Sequence, residues 1–212
     1  MTSPTSPSEE PSFSAQDEFA MRIALDQAQN AWLAGEVPVG AVILRDGQVL
    51  ATGYNRPITT HDPTAHAELV ALRHAAQLAE NYRLPDCELF VTLEPCAMCA
   101  MALMHARFKR VVFGAFDPKT GSAGSVVDLF ANRQLNHHTV VQGGLMAEAC
   151  GQVLRDFFAE RRSQQRIRQT VPEEAATSSL AVPPEPLSIP AGEALELPPE
   201  ALAGFPPASS SS

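Results

Sequence analysis

No run in this chain is long and apolar enough to span a bilayer. The most strongly apolar stretch, Cys96 to Met104, falls well short of the roughly 20 residues that a spanning helix needs. The opening residues, MTSPTSPSEEPSFS, have neither a basic start nor an apolar block, so they do not read as a secretory leader. The expectation is a cytoplasmic protein with no membrane partner. Cysteine is scarce, with four in 212 residues: Cys87, Cys96, Cys99 and Cys150. In a reducing compartment that excludes a disulfide framework. The close pair Cys96 and Cys99 reads as metal-binding or redox-active, and Cys87 and Cys150 as small buried apolar groups. No internal repeat is visible, which removes solenoid architectures.

Residues 171–212 lack Lys and Arg altogether while holding six Glu, and Glu9 and Glu10 sit in the other terminal segment. These eight carboxylates account for nearly all of the net charge of −9. The remainder is close to neutral and free to carry a basic face, so global charge does not argue against a nucleic-acid partner. Residues 1–13 are rich in Ser and Pro, and 171–212 hold nine of the eighteen prolines and end in a serine run. Both are expected to be disordered tails, since they offer too little apolar area to offset chain entropy. The folded domain is expected over 14–170.

Within it, apolar residues from Met21 to Trp32 recur at helical spacing, predicting a helix over 15–34 with Ser14 as cap and Gly35 as stop. Short strand-like runs at 39–44 and 48–53 flank Asp46-Gly47, a strong hairpin signal. Further helices are predicted over 64–79, 96–107 and 145–168, and further strands over 88–93, 110–115 and 139–142. The helix over 96–107 has almost no polar face, so it is expected in the core or at an interface. A strand, helix and strand in succession imply a parallel crossover. Together these give an α/β fold with a mixed five-stranded sheet and helices on both faces.

Three short groups carry chemistry: His66-Ala67-Glu68, Pro95-Cys96, and Cys99. Cys96 and Cys99 stand three apart at a helix start, which puts both sulfurs on one side. The helix N-terminus favours thiolate over thiol. His66 is placed in the first turn of the other helix. Two sulfurs and one imidazole make three protein ligands, and zinc bound that way keeps a fourth position open for water, the arrangement of catalytic sites. Glu68, two residues after His66, points away from the metal as a ligand but can reach the water as a proton carrier. Alone, C-x-x-C could be a redox motif or half of a structural zinc site, and His-x-Glu says little. In this order, each opening a helix, they match the H-x-E and P-C-x-x-C signature of zinc deaminases. His61, His74, His105, His137 and His138 are assigned no catalytic role.

Beyond the zinc motif, the chain resembles the bacterial tRNA-specific adenosine deaminases of the cytidine-deaminase-like superfamily. The resemblance rests on EVPVGAV at 36–42, NRPITTHDPTAHAE at 55–68, NYRLPDCELFVTLEPCAMCAMALMHARFKRVVFGAFDPKTGSAGS at 81–125, and LRDFFAERR at 154–162. It implies the three-layer α/β/α cytidine-deaminase-like fold, one Zn2+ per subunit, and hydrolysis of adenosine to inosine at wobble position 34 of a tRNA, with arginine tRNA first among candidates. It also implies a homodimer that binds a tRNA anticodon stem-loop. Glu68 would carry protons between water, N1 of adenine and the departing amine. Asn55 is matched to a residue that hydrogen-bonds the purine edge, where a bidentate amide suits adenine. Asp117 is matched to one near the sugar, where a carboxylate could accept from a ribose 2′-OH. Each has a plain turn reading as well, before Arg56-Pro57 and in Asp117-Pro118. Positive charge for RNA is sought in Arg155, Arg161, Arg162, Arg166 and Arg168 late in the last helix, and in Lys109, Arg110 and Lys119. Competing readings are a deaminase of free bases or nucleosides such as guanine or cytosine, a zinc-stabilised RNA-binding module, and a redox protein using Cys96 and Cys99.

Overall fold

The helical periodicity after Ser14 does form a helix, α1, over Ala15–Leu33. Ser14 caps it: its hydroxyl accepts from the Asp17 N–H at 3.1 Å, and Asp17 accepts from the Ser14 N–H at 2.9 Å. This is a capping box with Asp in place of Glu. Gly35, at φ +79°, takes the left-handed position that ends the helix. The hairpin follows as β1 (Gly40–Arg45) and β2 (Gln48–Tyr54). Asp46 and Gly47 have φ of 51° and 76°, the positive values that a two-residue type I′ turn requires at both central positions.

The structure, a computed structural model, describes residues 12–170, and its compact unit ends at Arg168. Phe13 already packs against the core beside α1. The disorder expected for the tails therefore falls, apart from residues 12 and 13, outside the described residues.

After β2 come α2 (Pro57–Thr60), α3 (Ala67–Leu78), β3 (Cys87–Leu93), α4 (Ala97–His105), β4 (Arg110–Ala115), β5 (Val140–Gly143) and α5 (Ala147–Thr170). The strands form one mixed sheet in the order β2-β1-β3-β4-β5. β1 is antiparallel to both β2 and β3, whereas β3, β4 and β5 run parallel. Alternate side chains feed two cores, as the pleat dictates. Ala41, Ile43, Leu89, Val91, Val111 and Phe113 pack with Ala67, Ala71 and Ala75 of α3 and Leu103 of α4. Val42, Leu44, Phe90 and Val112 pack with Ala20, Met21 and Ala24 of α1 and Cys150 of α5. The result is the expected layering of helices on both faces, with Cys87 and Cys150 as buried free thiols.

Two glycines set how closely helices approach the sheet. A Cβ on Gly53 would stand 2.5 Å from the Ala67 carbonyl oxygen and the Ala71 nitrogen of α3. One on Gly40 would stand 2.1 Å from the Ala24 carbonyl oxygen of α1. No side chain fits either gap.

Three details depart from the sequence reading. α3 begins at Ala67 instead of residue 64, because Asp62 holds the preceding residues in a turn, accepting from the Thr64 N–H at 2.8 Å and its hydroxyl at 2.6 Å. α4 ends at His105, since Arg107 has φ 66°. The short α2 was not foreseen, although Pro57 at its start is a residue suited to a first helical position.

Arg110, expected among RNA-binding cations, is committed to the fold. It reaches Asp17 at 2.7 and 3.0 Å and Glu88 at 3.1 Å, with side chains only 18%, 8% and 27% exposed. The Arg110 guanidinium holds the Asp17 carboxyl below its usual 3.8. Asp17 thus contributes stability that is fully present above the unfolded-chain value and is lost as pH falls through the lower native one. We expect Asp17→Ala to cost about 2 kcal/mol in urea unfolding at pH 7. The gap to the wild type should close as pH drops below 3.8.

Candidate active site

α3 and α4 start side by side at the ends of β2 and β3, and the site lies where they meet. His66 and Cys96 are the N-cap residues of these helices, with extended backbones (φ −70°, ψ 153° and φ −75°, ψ 170°). This corrects the placement of His66 inside a first turn. Neither side chain caps its own helix, which leaves both free to ligate. The cap of α3 comes from outside: Asn55 Oδ1 accepts from the Ala67 N–H at 2.9 Å.

His66 Nδ1 stands 3.7 Å from Cys96 Sγ and 3.6 Å from Cys99 Sγ. All three donor atoms lie within 4.8 Å of one another. In a tetrahedron with zinc–sulfur bonds of about 2.3 Å and a zinc–nitrogen bond of about 2.0 Å, the nitrogen and each sulfur stand about 3.5 Å apart. The triangle therefore fits zinc in size and in donor type. Among the described residues it is the only such grouping of His, Cys, Asp and Glu, and the other five histidines stay out of it.

The electrostatics suit a cation. The Cys99 thiol donates to Cys96, and with His66 and the Cys99 N–H it holds the Cys96 thiol down to about 4. Cys99 is pushed up as donor beside that anion and by burial. A dication between the sulfurs reverses the second shift, because a coordinating thiol is deprotonated. Hydrogen bonding to Cys96 also raises the His66 value.

Glu68 is 4% exposed in the first turn of α3, against Cys99 but outside the ligand triangle. Burial pushes its carboxyl up to about 7. It faces a cleft of about 280 Å³ lined also by Asn55, Ile58, His66, Cys96, Asp117 and Thr120. Asn55 is buried and tied to both sides of the cleft, its N–H donating to the Val39 carbonyl at 3.0 Å. Asp117 does make the turn its sequence allowed, accepting from the Lys119 N–H at 2.9 Å and the Thr120 hydroxyl at 2.6 Å.

Two buried carboxylates on the cleft wall, Glu36 and Glu94, escaped the sequence reading. Glu36 accepts from the Thr59 N–H of α2 at 2.7 Å. Glu94 holds the loop that carries Asp117. A signal was available for Glu94: a lone charge between Leu93 and Pro95 in an otherwise apolar run is unusual unless it is paired.

The comparisons with known proteins agree with this geometry. Residues 14–115 match the cytidine and deoxycytidylate deaminase zinc-binding region. A tRNA-specific adenosine deaminase of Haemophilus influenzae is 47% identical over 156 residues, covering 73% of this chain and 90% of that protein. The chain belongs to the tRNA-specific adenosine deaminase family. A relative of the same name from Bacillus subtilis is 40% identical over 71% of this chain and 94% of its own length. A solved structure from work on A-to-I editing by tRNA:A34 deaminases at the wobble position of transfer RNA superimposes with TM-score 0.63 and 41% identity, over 64% of this chain and 99% of that one. A guanine deaminase from Nitrosomonas europaea gives TM-score 0.58 at 25% identity, over 71% of this chain and 89% of its own. The fold is the cytidine-deaminase-like one, and the cofactor of this zinc-binding domain is zinc.

Purified protein should contain about one zinc per chain by atomic absorption, and His66→Ala or Cys99→Ser should contain less than about a tenth of that. Full zinc content in Cys99→Ser would show that the metal sits elsewhere.

Proposed function

We propose that the chain hydrolyses adenosine to inosine at wobble position 34 of a tRNA anticodon, with arginine tRNA the first substrate to try. The observation that carries this reading is the buried Glu68 carboxylate beside the His66–Cys96–Cys99 triangle, at the floor of a cleft open to a base. The 47% identity to a named tRNA-specific adenosine deaminase supports the substrate. Arg162, Arg166 and Arg168 stand exposed late in α5 and supply charge for a phosphate backbone. Arg161 instead donates to the Gly35 carbonyl, and Arg155 pairs with Glu148. The half-buried Met98 and Met101 of α4 support a homodimer, and a cytoplasmic location goes with a tRNA substrate. Among the described residues no helix is long and apolar enough to cross a membrane.

His66, Cys96 and Cys99 would hold the zinc, which when bound would lower the pKa of a water molecule to about 7. Glu68 would take a proton from water and place it on N1 of adenine as the water oxygen adds to C6. The same carboxylate then moves the remaining hydroxyl proton to the amine, which leaves as ammonia, and C6 becomes the carbonyl of inosine. A carboxyl near 7 is matched to accepting and returning protons at neutral pH. Asn55 uses Oδ1 on the Ala67 N–H, so its NH2 is the group left to donate to a ring nitrogen of the purine, a one-handed contact in place of a bidentate one. Asp117 keeps unused lone pairs for a ribose 2′-OH.

Glu68→Ala should retain zinc and lose about 10²- to 10⁴-fold in kcat, read as inosine formed in an anticodon stem-loop. Loss of the metal in that variant would make Glu68 a ligand and refute its role. Free adenosine, guanine and cytosine should be poor substrates in the same assay, and efficient turnover of guanine or cytosine would favour the free-base reading. Stem-loop affinity should fall about tenfold or more between 50 and 200 mM salt, and salt-independent binding would count against an RNA substrate.

A further inference from the structure

Glu94 is 2% exposed, directly precedes the Pro95–Cys96 entry to α4, and takes no part in the chemistry above. Its carboxylate accepts four hydrogen bonds from one loop. The Asp117 N–H donates to Oε2 at 3.0 Å, and the Ala123 and Ser125 N–H groups donate to Oε1 at 2.8 and 3.1 Å. The Ser125 hydroxyl donates to Oε2 as well. Burial works to raise the Glu94 value, but these donors prevail and hold it below the usual 4.5. The loop is also pinned to the metal-ligand segment itself: the Ser122 N–H donates to the Pro95 carbonyl at 2.9 Å, and Gly121 bridges to Cys96. A Cβ on Gly121 would stand 2.4 Å from Glu94 Cδ, so the loop closes on the carboxylate with no room for a side chain.

On the rim itself, Pro118, Lys119 and Thr120 are exposed, and Phe116 is exposed apart from an edge contact with Phe113. A loop that needed only to be closed could be held by an apolar plug at lower desolvation cost. A buried charge with four directed donors holds it in one register instead. Two residues away along the backbone, Cys96 points at the metal triangle. We propose that Glu94 is a positioning residue for the substrate: it holds residues 117–125, and with them Asp117 and Thr120 on the cleft rim, in fixed register with the metal ligand Cys96. This rests on the reading of the cleft as a nucleotide site. The rim contacts the nucleotide and not the reacting atoms, so its displacement weakens substrate capture more than it slows the bond change.

Two variants test this in the full-length zinc protein. Glu94→Gln keeps the shape but sets an NH2 against backbone donors, and Ser125→Ala removes one donor from the exposed side. Both should keep one zinc. Amide exchange at Ala123 and Ser125 should quicken in Glu94→Gln, with β1, β3 and β4 unchanged. KM for the stem-loop should rise about tenfold in Glu94→Gln and about threefold in Ser125→Ala, with kcat within about twofold of wild type. The double variant should be little worse than Glu94→Gln alone, because the two groups share one interaction. Faster loop exchange with unchanged KM, a fall in kcat at constant KM, or full additivity would each overturn the role of Glu94. Wild-type protein that forms no inosine would overturn the functional reading, whereas wild-type turnover with KM unmoved by either variant would overturn only the positioning role.

Discussion

The site exists because two helices begin at the same place, and that coincidence depends on how closely α3 can lie against β2. Gly53 allows it: its missing Cβ is the space in which the Ala67 carbonyl and the Ala71 N–H sit. With α3 that close, its N-cap residue comes within 3.7 Å of both sulfurs at the start of α4. An N-cap residue has an extended backbone and ordinarily spends its side chain on the exposed N–H groups of the first turn. At α3 that duty passes to Asn55, and at α4 the Cys96 sulfur makes no side-chain cap, the nearby Cys99 N–H helping instead to hold it as a thiolate. Both N-cap side chains can therefore bind a metal, with two positive helix ends stabilising the thiolates they face. Asn55 is therefore part of the metal scaffold as well as of the cleft wall.

Three glutamates line the cleft, and their hydrogen bonds sort them into different kinds of work. Glu94 is saturated by a hydroxyl and three backbone N–H groups, and those donors keep it ionised despite burial. A carboxylate so engaged has no reason to take a proton near neutrality. Glu36 holds α2 through the Thr59 N–H. Glu68, equally buried, is pushed up to about 7 because burial dominates its surroundings. Carboxylates in environments that drive them apart suit separate roles: a value near 7 at Glu68 suits proton carriage, and four donors on Glu94 suit loop retention.

Much of this was legible in the residues. The Asp46-Gly47 turn, the capping Ser14, the strand-like runs and the grouping of His66, Cys96 and Cys99 all express local chemistry at fixed spacing. What was not legible depends on contacts across the chain. The late start of α3 is the exception, a local matter: Asp62 bonds the Thr64 N–H and hydroxyl two residues on and so delays the helix until Ala67. Arg110 looks like a surface cation until Asp17, far away in sequence, is found beside it. Asp117 and Asn55 were ambiguous between turn and cleft: Asp117 makes its local turn bonds while also lining the cleft, whereas Asn55 lines the cleft with bonds that reach across the chain to Ala67 and Val39.

The shared fold with a guanine deaminase at 25% identity sharpens where specificity must reside. A metal triangle and an adjacent carboxylate activate water, and that operation is indifferent to which ring receives it. Selection then falls to whatever fixes the ring and its sugar before the proton moves. In this chain the cleft rim includes α2 and part of the loop over residues 117–125, neither of which belongs to the sheet or to the layers packed on it. Each is tethered to the rigid scaffold through a buried glutamate, Glu36 for one and Glu94 for the other. Rims attached through a few directed bonds can change sequence and length without disturbing α3 and α4. The same metal chemistry can therefore serve different substrates, and the anchoring carboxylates are where a change of rim must still be accommodated.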